Sequence, residues 1–210
     1  RVILKDKADF GIAFDGDMDR VAFIDEKGRF VNTSFIGALL TKYLLLQSKS
    51  GKVVYTSACS RIISESVLKY GGNPVRAKVG HAFMKEAMYN NNALFGTEHS
   101  GHYYYRDNYY ADSALISSLL VLEIYSLAKK KGIKFSDLIA EFDKYSQSDE
   151  ISIKLKENDN IVKKIERYYK NKKPKKIDNF DGLTIQFNDY WFSVRKGNTE
   201  PLLRINLEAI

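Results

Sequence analysis

The chain has 210 residues, with 33 Lys and Arg against 26 Asp and Glu, a net charge of +7. That excess is confined to residues 163–176, where eight basic side chains face one acid, Glu166, so the remainder is neutral and a uniformly basic nucleic-acid-coating protein is excluded. At 44% hydrophobic and 13% aromatic, the chain is also too apolar to be wholly disordered, and its length suits one large domain or two modest ones.

Taken in chain order, residues 8–14 and 21–24 are rich in strand formers and flank a tight acidic turn at 15–20. A helix is predicted from a cap at Asn32 or Thr33 to about residue 47, with Phe35, Ile36, Leu39 and Leu40 on one face. Strands at 53–55, 75–77 and 93–95 alternate with helices at 60–70 and 82–89. A long polar-aromatic loop, 96–108, leads to a helix over 111–130 that Lys131-Gly132 stops, then a short helix over 136–142. This alternation predicts an α/β fold: a three-layer domain with a mostly parallel mixed sheet. After residue 147 the pattern changes. Ile151, Ile153 and Leu155 alternate with polar residues, 161–169 is helical in pattern, and 183–187, 190–194 and 202–207 read as strands. A small α+β domain with an antiparallel sheet is expected from 148 to 210.

The single cysteine, Cys59, forbids an intrachain disulfide and favours a reducing, cytoplasmic setting, with the thiol as a buried hydrophobe. The first residues lack the apolar run of a signal peptide. The most apolar stretch, 114–128, is broken by Glu123 and three serines and falls short of the ~20 residues that span a bilayer. It reads as a buried helix, and no membrane partner is expected. The lysine-rich segment, despite neighbouring tyrosines that suit single strands, reads as a solvated face, so no nucleic-acid partner is expected either.

Three segments carry chemistry. In Asp15-Gly16-Asp17-Met18-Asp19-Arg20, three carboxylates at alternate positions can converge on one hard divalent cation, and Arg20 can hold a phosphate. A calcium loop is the rival, because Asp15, Asp17, Asp19 and Glu26 have its ligand spacing. Against it, Arg20 occupies the position where that loop needs Gly, and the flanks read as strands. A solvated acidic turn is the plain alternative. The second segment gathers all three histidines: His81 after Lys78-Val79-Gly80, and His99 and His102 in Gly96-Thr97-Glu98-His99-Ser100-Gly101-His102. Glu98 and Ser100 suit sugar hydroxyls, and a histidine suits proton transfer near neutral pH. Zinc and a purely structural loop are the alternatives here. The third segment, Arg195-Lys196-Gly197-Asn198-Thr199-Glu200-Pro201, can wrap a phosphate dianion or be an ordinary Gly-Asn turn.

Phe14-Asp-Gly-Asp-Met-Asp-Arg20, Gly96-Thr-Glu-His-Ser-Gly-His102 and Arg195-Lys-Gly-Asn-Thr-Glu-Pro201, in that order, resemble the α-D-phosphohexomutase superfamily, and within it the phosphomannomutase/phosphoglucomutase group. The resemblance implies that Asp15, Asp17 and Asp19 bind Mg²⁺, with Arg20 beside the transferred phosphoryl group. It implies that Glu98 and Ser100 bind sugar hydroxyls, that His102 is an acid/base, and that Lys78 and His81 contact substrate. Arg195, Gly197, Asn198 and Thr199 match the loop that holds the phosphate not being transferred. The family often has Ser where Gly197 stands, which removes one hydroxyl contact. The implied substrates are hexose phosphates: mannose or glucose 1- and 6-phosphate, interconverted through a phosphoserine and a bisphosphate. The Ser-His-Asn-Pro-like phosphoserine segment is absent from these residues. The chain thus resembles the C-terminal part of a mutase: residues 1–30 the end of the second domain, 31–147 the third and 148–210 the fourth. It is expected to need the N-terminal domains for activity, and to bind Mg²⁺ weakly alone. The alternatives are a non-catalytic phosphosugar-binding module and a phosphoglucosamine mutase-type specificity.

Overall fold

The computed structural model describes residues 1–155, 160–197 and 201–210. The chain forms two compact units, Arg1–Lys144 and Tyr145–Ile210.

The first unit opens with α1 (Val2–Asp6) and an antiparallel hairpin, β1 (Phe10–Phe14) and β2 (Val21–Asp25), to which β3 (Phe30–Val31) adds a third strand. Phe14 pairs with Val21, so the hairpin presents the acidic segment 15–20 at its tip. Phe10 stacks on Phe135 at 4.5 Å between ring centroids, which anchors the hairpin in an aromatic cluster. The helix α2 (Thr33–Ser48) starts where Asn32 accepts from the Ser34 amide, satisfying one orphan donor of the first turn.

The main sheet comprises β4 (Lys52–Thr56), β5 (Asn73–Ala77), β6 (Phe95–Thr97), β7 (Tyr103–Tyr105) and β8 (Ala111–Asp112). Its order is β5-β4-β6-β7-β8; the first three strands are parallel and the last two antiparallel. The helices α3 (Ile62–Lys69) and α4 (His81–Asn90) follow β4 and β5. Helices cover both faces. On one, Met84 and Met88 of α4 pack with Val54, Ala77 and Tyr104. On the other, α2 comes so close that a Cβ at Gly37 would lie 2.6 Å from Thr97 Oγ1. Because parallel strands end on one side, the segments after β4, β5 and β6 open toward a common edge. Ligands of such sheets bind at that edge. The unit closes with α5 (Ala114–Lys129) and α6 (Phe135–Ala140).

Several sequence expectations change here. The predicted loop 96–108 is mostly the β6–β7 hairpin, followed by a 3-10 turn at Arg106–Asn108. Tyr103 and Tyr104 are fully buried on opposite faces, a pattern that hydroxyl-bearing residues hide. The strand predicted at 93–95 lies at Phe95–Thr97. The helix predicted from 111 begins at Ala114, after the Ser113 side chain accepts from the Ile116 amide. That helix is buried on one face only: Leu115, Leu119, Leu122 and Leu127 are exposed. Among the described residues no helix is long and apolar enough to cross a membrane. Cys59 is buried and unpaired, and burial pushes its thiol up to about 12.

The second unit contains β9 (Ser146–Gln147), β10 (Ile151–Lys154), α7 (Ile161–Lys170), β11 (Lys176–Asp178), β12 (Leu183–Gln186), β13 (Tyr190–Lys196) and β14 (Leu202–Ala209). The strands form an antiparallel sheet ordered β10-β14-β13-β12-β11, with β9 also on β14. Ile161, Val162, Ile165 and Tyr169 pack α7 onto Leu183, Ile185, Phe192, Val194 and Leu203. Lys163, Lys164, Arg167 and Lys170 occupy its exposed face, as expected of a solvated basic stripe.

Candidate functional site

The acidic hairpin tip is held by its own arginine. Asp15 Oδ1 accepts from the Arg20 amide at 3.1 Å and Asp15 Oδ2 from Arg20 Nε at 2.5 Å. Met18 takes φ 60°, which turns the chain inside the loop. Carboxylate oxygens of Asp15, Asp17 and Asp19 thereby lie within 4.8 Å of one another. Burial opposes ionisation of Asp15, yet the Arg20 amide and guanidinium offset it and hold the carboxyl below its ordinary range. Asp19 Oδ1 is buried and accepts no hydrogen bond among the described residues. Three hard oxygen donors, one without a hydrogen-bond donor and all mutually repulsive at this spacing, fit Mg²⁺. The calcium-loop alternative fails. Its flanks are strands, and both Glu26 carboxylate oxygens are engaged by Ser136.

The second loop, residues 98–102, connects β6 to β7. The Glu98 amide donates to the His102 carbonyl at 3.0 Å and the Gly101 amide to the Glu98 carbonyl at 3.2 Å. Gly101 takes φ +94°, and its carbonyl accepts from the Val21 amide at 3.3 Å. This bond ties the second loop to the acidic one. A side chain at 101 would press on the Val21 carbonyl, since a Cβ there lies 3.1 Å from it. Thr33 Oγ1 donates to the His99 carbonyl at 2.7 Å, adding α2 to the same scaffold.

His102 sits where the loops meet. Its Nε2 is 3.3 Å from Asp19 Oδ2; its Nδ1 is 2.7 Å from Ser100 Oγ and 3.3 Å from Glu98 Oε2. Burial disfavours the imidazolium, but Glu98, Asp19 and Asp112 overcome it and raise the His102 pKa. Glu98 is buried and receives Tyr104 Oη at 2.8 Å and the Gly80 amide at 3.3 Å. Burial opposes its charge too, yet His102 and Tyr104 hold its carboxyl below the ordinary range. His81, at the first position of α4, meets His102 edge-on, with ring centroids 4.4 Å apart. Lys78 and Ser100 are exposed at the rim, Lys78 Nζ lying 5.7 Å from the Phe83 ring centroid. The first unit thus brings Asp15, Asp17, Asp19, Arg20, His81, Glu98, Ser100 and His102 into one neighbourhood.

In the second unit, Arg195 lies on β13 and shares Glu150 with Arg204: Arg195 Nη2 is 3.1 Å from Glu150 Oε2, and Arg204 Nη1 2.5 Å from Oε1. Arg195 and Lys196 line a cavity of about 410 Å³ with Asn160, Lys163 and Gly182. The Gly197 amide donates to the Leu202 carbonyl at 2.7 Å, so it closes the β13–β14 turn. Asn198 and Thr199 lie outside the described residues.

Residues 32–145 match the family described as phosphoglucomutase/phosphomannomutase, alpha/beta/alpha domain III, and residues 150–209 match its C-terminal domain. The chain belongs to the phosphoglucomutase/phosphomannomutase family. Relatives include a phosphomannomutase of Methanocaldococcus jannaschii, 36% identical over 100% of this chain and 45% of its own length. A phosphomannomutase of Escherichia coli K12 is 38% identical over 99% of this chain and 45% of its own. A crystal structure of a phosphoglucomutase/phosphomannomutase family protein from Burkholderia thailandensis shares the fold, with a TM-score of 0.86 and 24% identity over 99% of this chain and 44% of that one. The chain therefore spans about half the length of the mutases it matches.

Three participants escape a sequence reading of this phosphoglucomutase/phosphomannomutase chain. Tyr104 reads as one of three consecutive tyrosines. Asp112, on β8, carries no motif, yet its carboxylate is 3.5 Å from His81 Nε2. Glu150 lies 45 residues before the arginine it pairs with. Strand pairing, not spacing, assembles all three.

Proposed function

We propose that this chain supplies the cation cradle, the sugar-binding loop and a phosphate anchor of a phosphohexomutase that interconverts hexose 1-phosphate and 6-phosphate. The observation that carries the reading is the meeting of the acidic and histidine loops, with His102 Nε2 3.3 Å from Asp19 Oδ2. It puts a proton-transfer group beside the residues suited to a phosphoryl-neutralising cation, which is what phosphoryl transfer to a hydroxyl requires.

In this reading Glu98 and Ser100 accept sugar hydroxyls and fix the ring. His102 holds or takes the hydroxyl proton at Nε2 as the phosphoryl group moves from a phosphoserine of the rest of the protein. Arg20 exchanges Asp15 for a phosphoryl oxygen, a charge-assisted contact of greater strength than a neutral one. Asp15, Asp17 and Asp19 would hold Mg²⁺, which when bound would supply charge neutralisation at the phosphoryl oxygens. Arg195 anchors the phosphate that does not react. No residue here provides the Ser-His-Asn-Pro-like nucleophile, so the chain alone binds hexose phosphate without turning it over.

Titration calorimetry with glucose 6-phosphate and mannose 6-phosphate tests this. Binding that falls about tenfold or more in Arg195→Ala, with no 1-phosphate to 6-phosphate conversion by the isolated chain, is expected. Undetectable binding of both sugars overturns the assignment, and turnover by the isolated chain overturns its dependence on an external nucleophile.

A further inference from the structure

We propose that Asp19, His81, His102 and Asp112 form a second cation site, selective for a transition ion of the zinc class, that shares Asp19 with the acidic loop. One ligand atom from each of these four residues lies within 4.8 Å of all the others. Two distances are finer. His102 Nε2 is 3.3 Å from Asp19 Oδ2, and His81 Nε2 is 3.5 Å from Asp112 Oδ2. Donors placed about 2.0 Å from a tetrahedral zinc ion are separated by about 3.3 Å. The pairs therefore already have the spacing of a tetrahedron's edges.

Asp112 supplies the independent sign of a missing partner. Its side chain is 9% exposed, and its Oδ2 has no hydrogen-bond partner among the described residues. A buried carboxylate oxygen left this way is costly unless a cation or donor completes it. His81 Nε2, at 3.5 Å, is beyond good hydrogen-bond distance but well placed as a co-ligand. The two imidazoles stand edge-on at 88°, with ring centroids 4.4 Å apart.

His102 is prepared for this role by what lies behind it. Glu98 and Ser100 both face Nδ1 while Nε2 faces Asp19, so a proton kept on Nδ1 leaves Nε2 for a metal ion. A carboxylate behind a histidine is the usual support of a metal-bound imidazole. Access is from the side of His81 and Asp19, whose side chains are 42% and 32% exposed. Two nitrogen and two oxygen donors suit zinc, cobalt or a related ion, whereas Mg²⁺ prefers an all-oxygen octahedron. The consequence is antagonism. An ion held here draws Asp19 from the acidic loop and occupies the His102 nitrogen that the proposed mechanism needs. The site itself does not depend on that mechanism.

Cobalt(II) titration of the 210-residue chain, followed by visible absorption, tests the site without any activity assay. A 1:1 complex with the intense bands of tetrahedral cobalt is expected, displaced by zinc and not by a tenfold excess of Mg²⁺. Asp112→Asn and His81→Ala should each weaken it on the order of a hundredfold, while Asp17→Asn, which alters only the acidic loop, should retain it. Far-ultraviolet circular dichroism confirms that each variant is folded. Absence of tetrahedral bands overturns the proposal, as does their survival in both Asp112→Asn and His81→Ala or their loss in folded Asp17→Asn. Mg²⁺ binding left unchanged in Asp17→Asn with the cobalt bands intact would instead count against the acidic-loop reading alone.

Discussion

The Tyr104 hydroxyl donates to Glu98 Oε2 at 2.8 Å, joining the middle of β7 to the loop that follows β6. Both residues are buried, and Glu98 stays ionised because this donor, His102 and the Gly80 amide together outweigh its desolvation. Tyr104→Phe keeps the ring among Met84 and Met88 but removes the donor. A buried carboxylate short of one hydrogen bond costs about 1–3 kcal/mol. Urea unfolding at neutral pH should show that loss, and a change under about 0.5 kcal/mol would refute the role assigned to the hydroxyl.

Away from the site, Glu141 gathers Lys42, Lys69 and the Tyr70 hydroxyl at the edges of α2 and α3. Burial opposes its charge, but these partners bring its pKa from an ordinary 4.5 down to about 2. A carboxyl depressed on folding adds stability that is complete above its unfolded pKa. That stability fades as pH falls from about 4.5 through about 2. Glu141→Gln should cost about 1–2 kcal/mol at pH 7, since its partial exposure screens the pairs. It should also flatten the acid limb of the stability curve below pH 4.5. Thermal melts of both proteins from pH 2 to pH 7 check this, and parallel curves would exclude Glu141 as the cause.

The sequence makes much of this architecture legible because its elements announce themselves locally. Asn32 before an apolar helix, the alternation at Ile151 and Ile153, and the Asp15–Arg20 turn between short apolar runs are all contiguous signals. The β6–β7 hairpin is not legible in this way. Its strands are three residues each, and Tyr103 to Tyr105 are buried through hydroxyls that bond elsewhere: Tyr103 to the Thr33 carbonyl, Tyr104 to Glu98 and Tyr105 to Ser117. The exposed leucines of α5 misled for the opposite reason, since an apolar run need not be buried on every side. At the site, the acidic and histidine loops are motifs, whereas Asp112 arrives by the pairing of β8 with β7.

Gly101 is the hinge on which the two loops agree. Its φ of +94° disfavours any other residue, and a Cβ would press on the Val21 carbonyl, whose amide is the donor to Gly101. Gly101→Ala should destabilise the chain by about 1–3 kcal/mol and displace the histidine loop from the acidic one. Mg²⁺ titration calorimetry should show weaker binding in this variant if Asp19 is held in place by the second loop. Unchanged stability and Mg²⁺ affinity would mean that the loops adapt independently.

Glu150 is the counterweight to Arg195, the proposed phosphate anchor. It accepts from Arg195 Nη2 and Arg204 Nη1, and Asn206 Nδ2 approaches at 3.5 Å. Burial opposes its ionisation, but Arg204 and Arg195 keep its carboxyl below the ordinary range. A phosphate bound at the proposed anchor would share Arg195 with this carboxylate, whose charge would repel it across a partly buried site. Glu150→Gln keeps the shape and an acceptor oxygen while removing the charge. Phosphate affinity should therefore rise about fivefold in Glu150→Gln and fall about tenfold in Arg195→Ala, with inorganic phosphate titrated into each. A fall in Glu150→Gln would instead show that the carboxylate orients the guanidinium and that its positioning outweighs its repulsion.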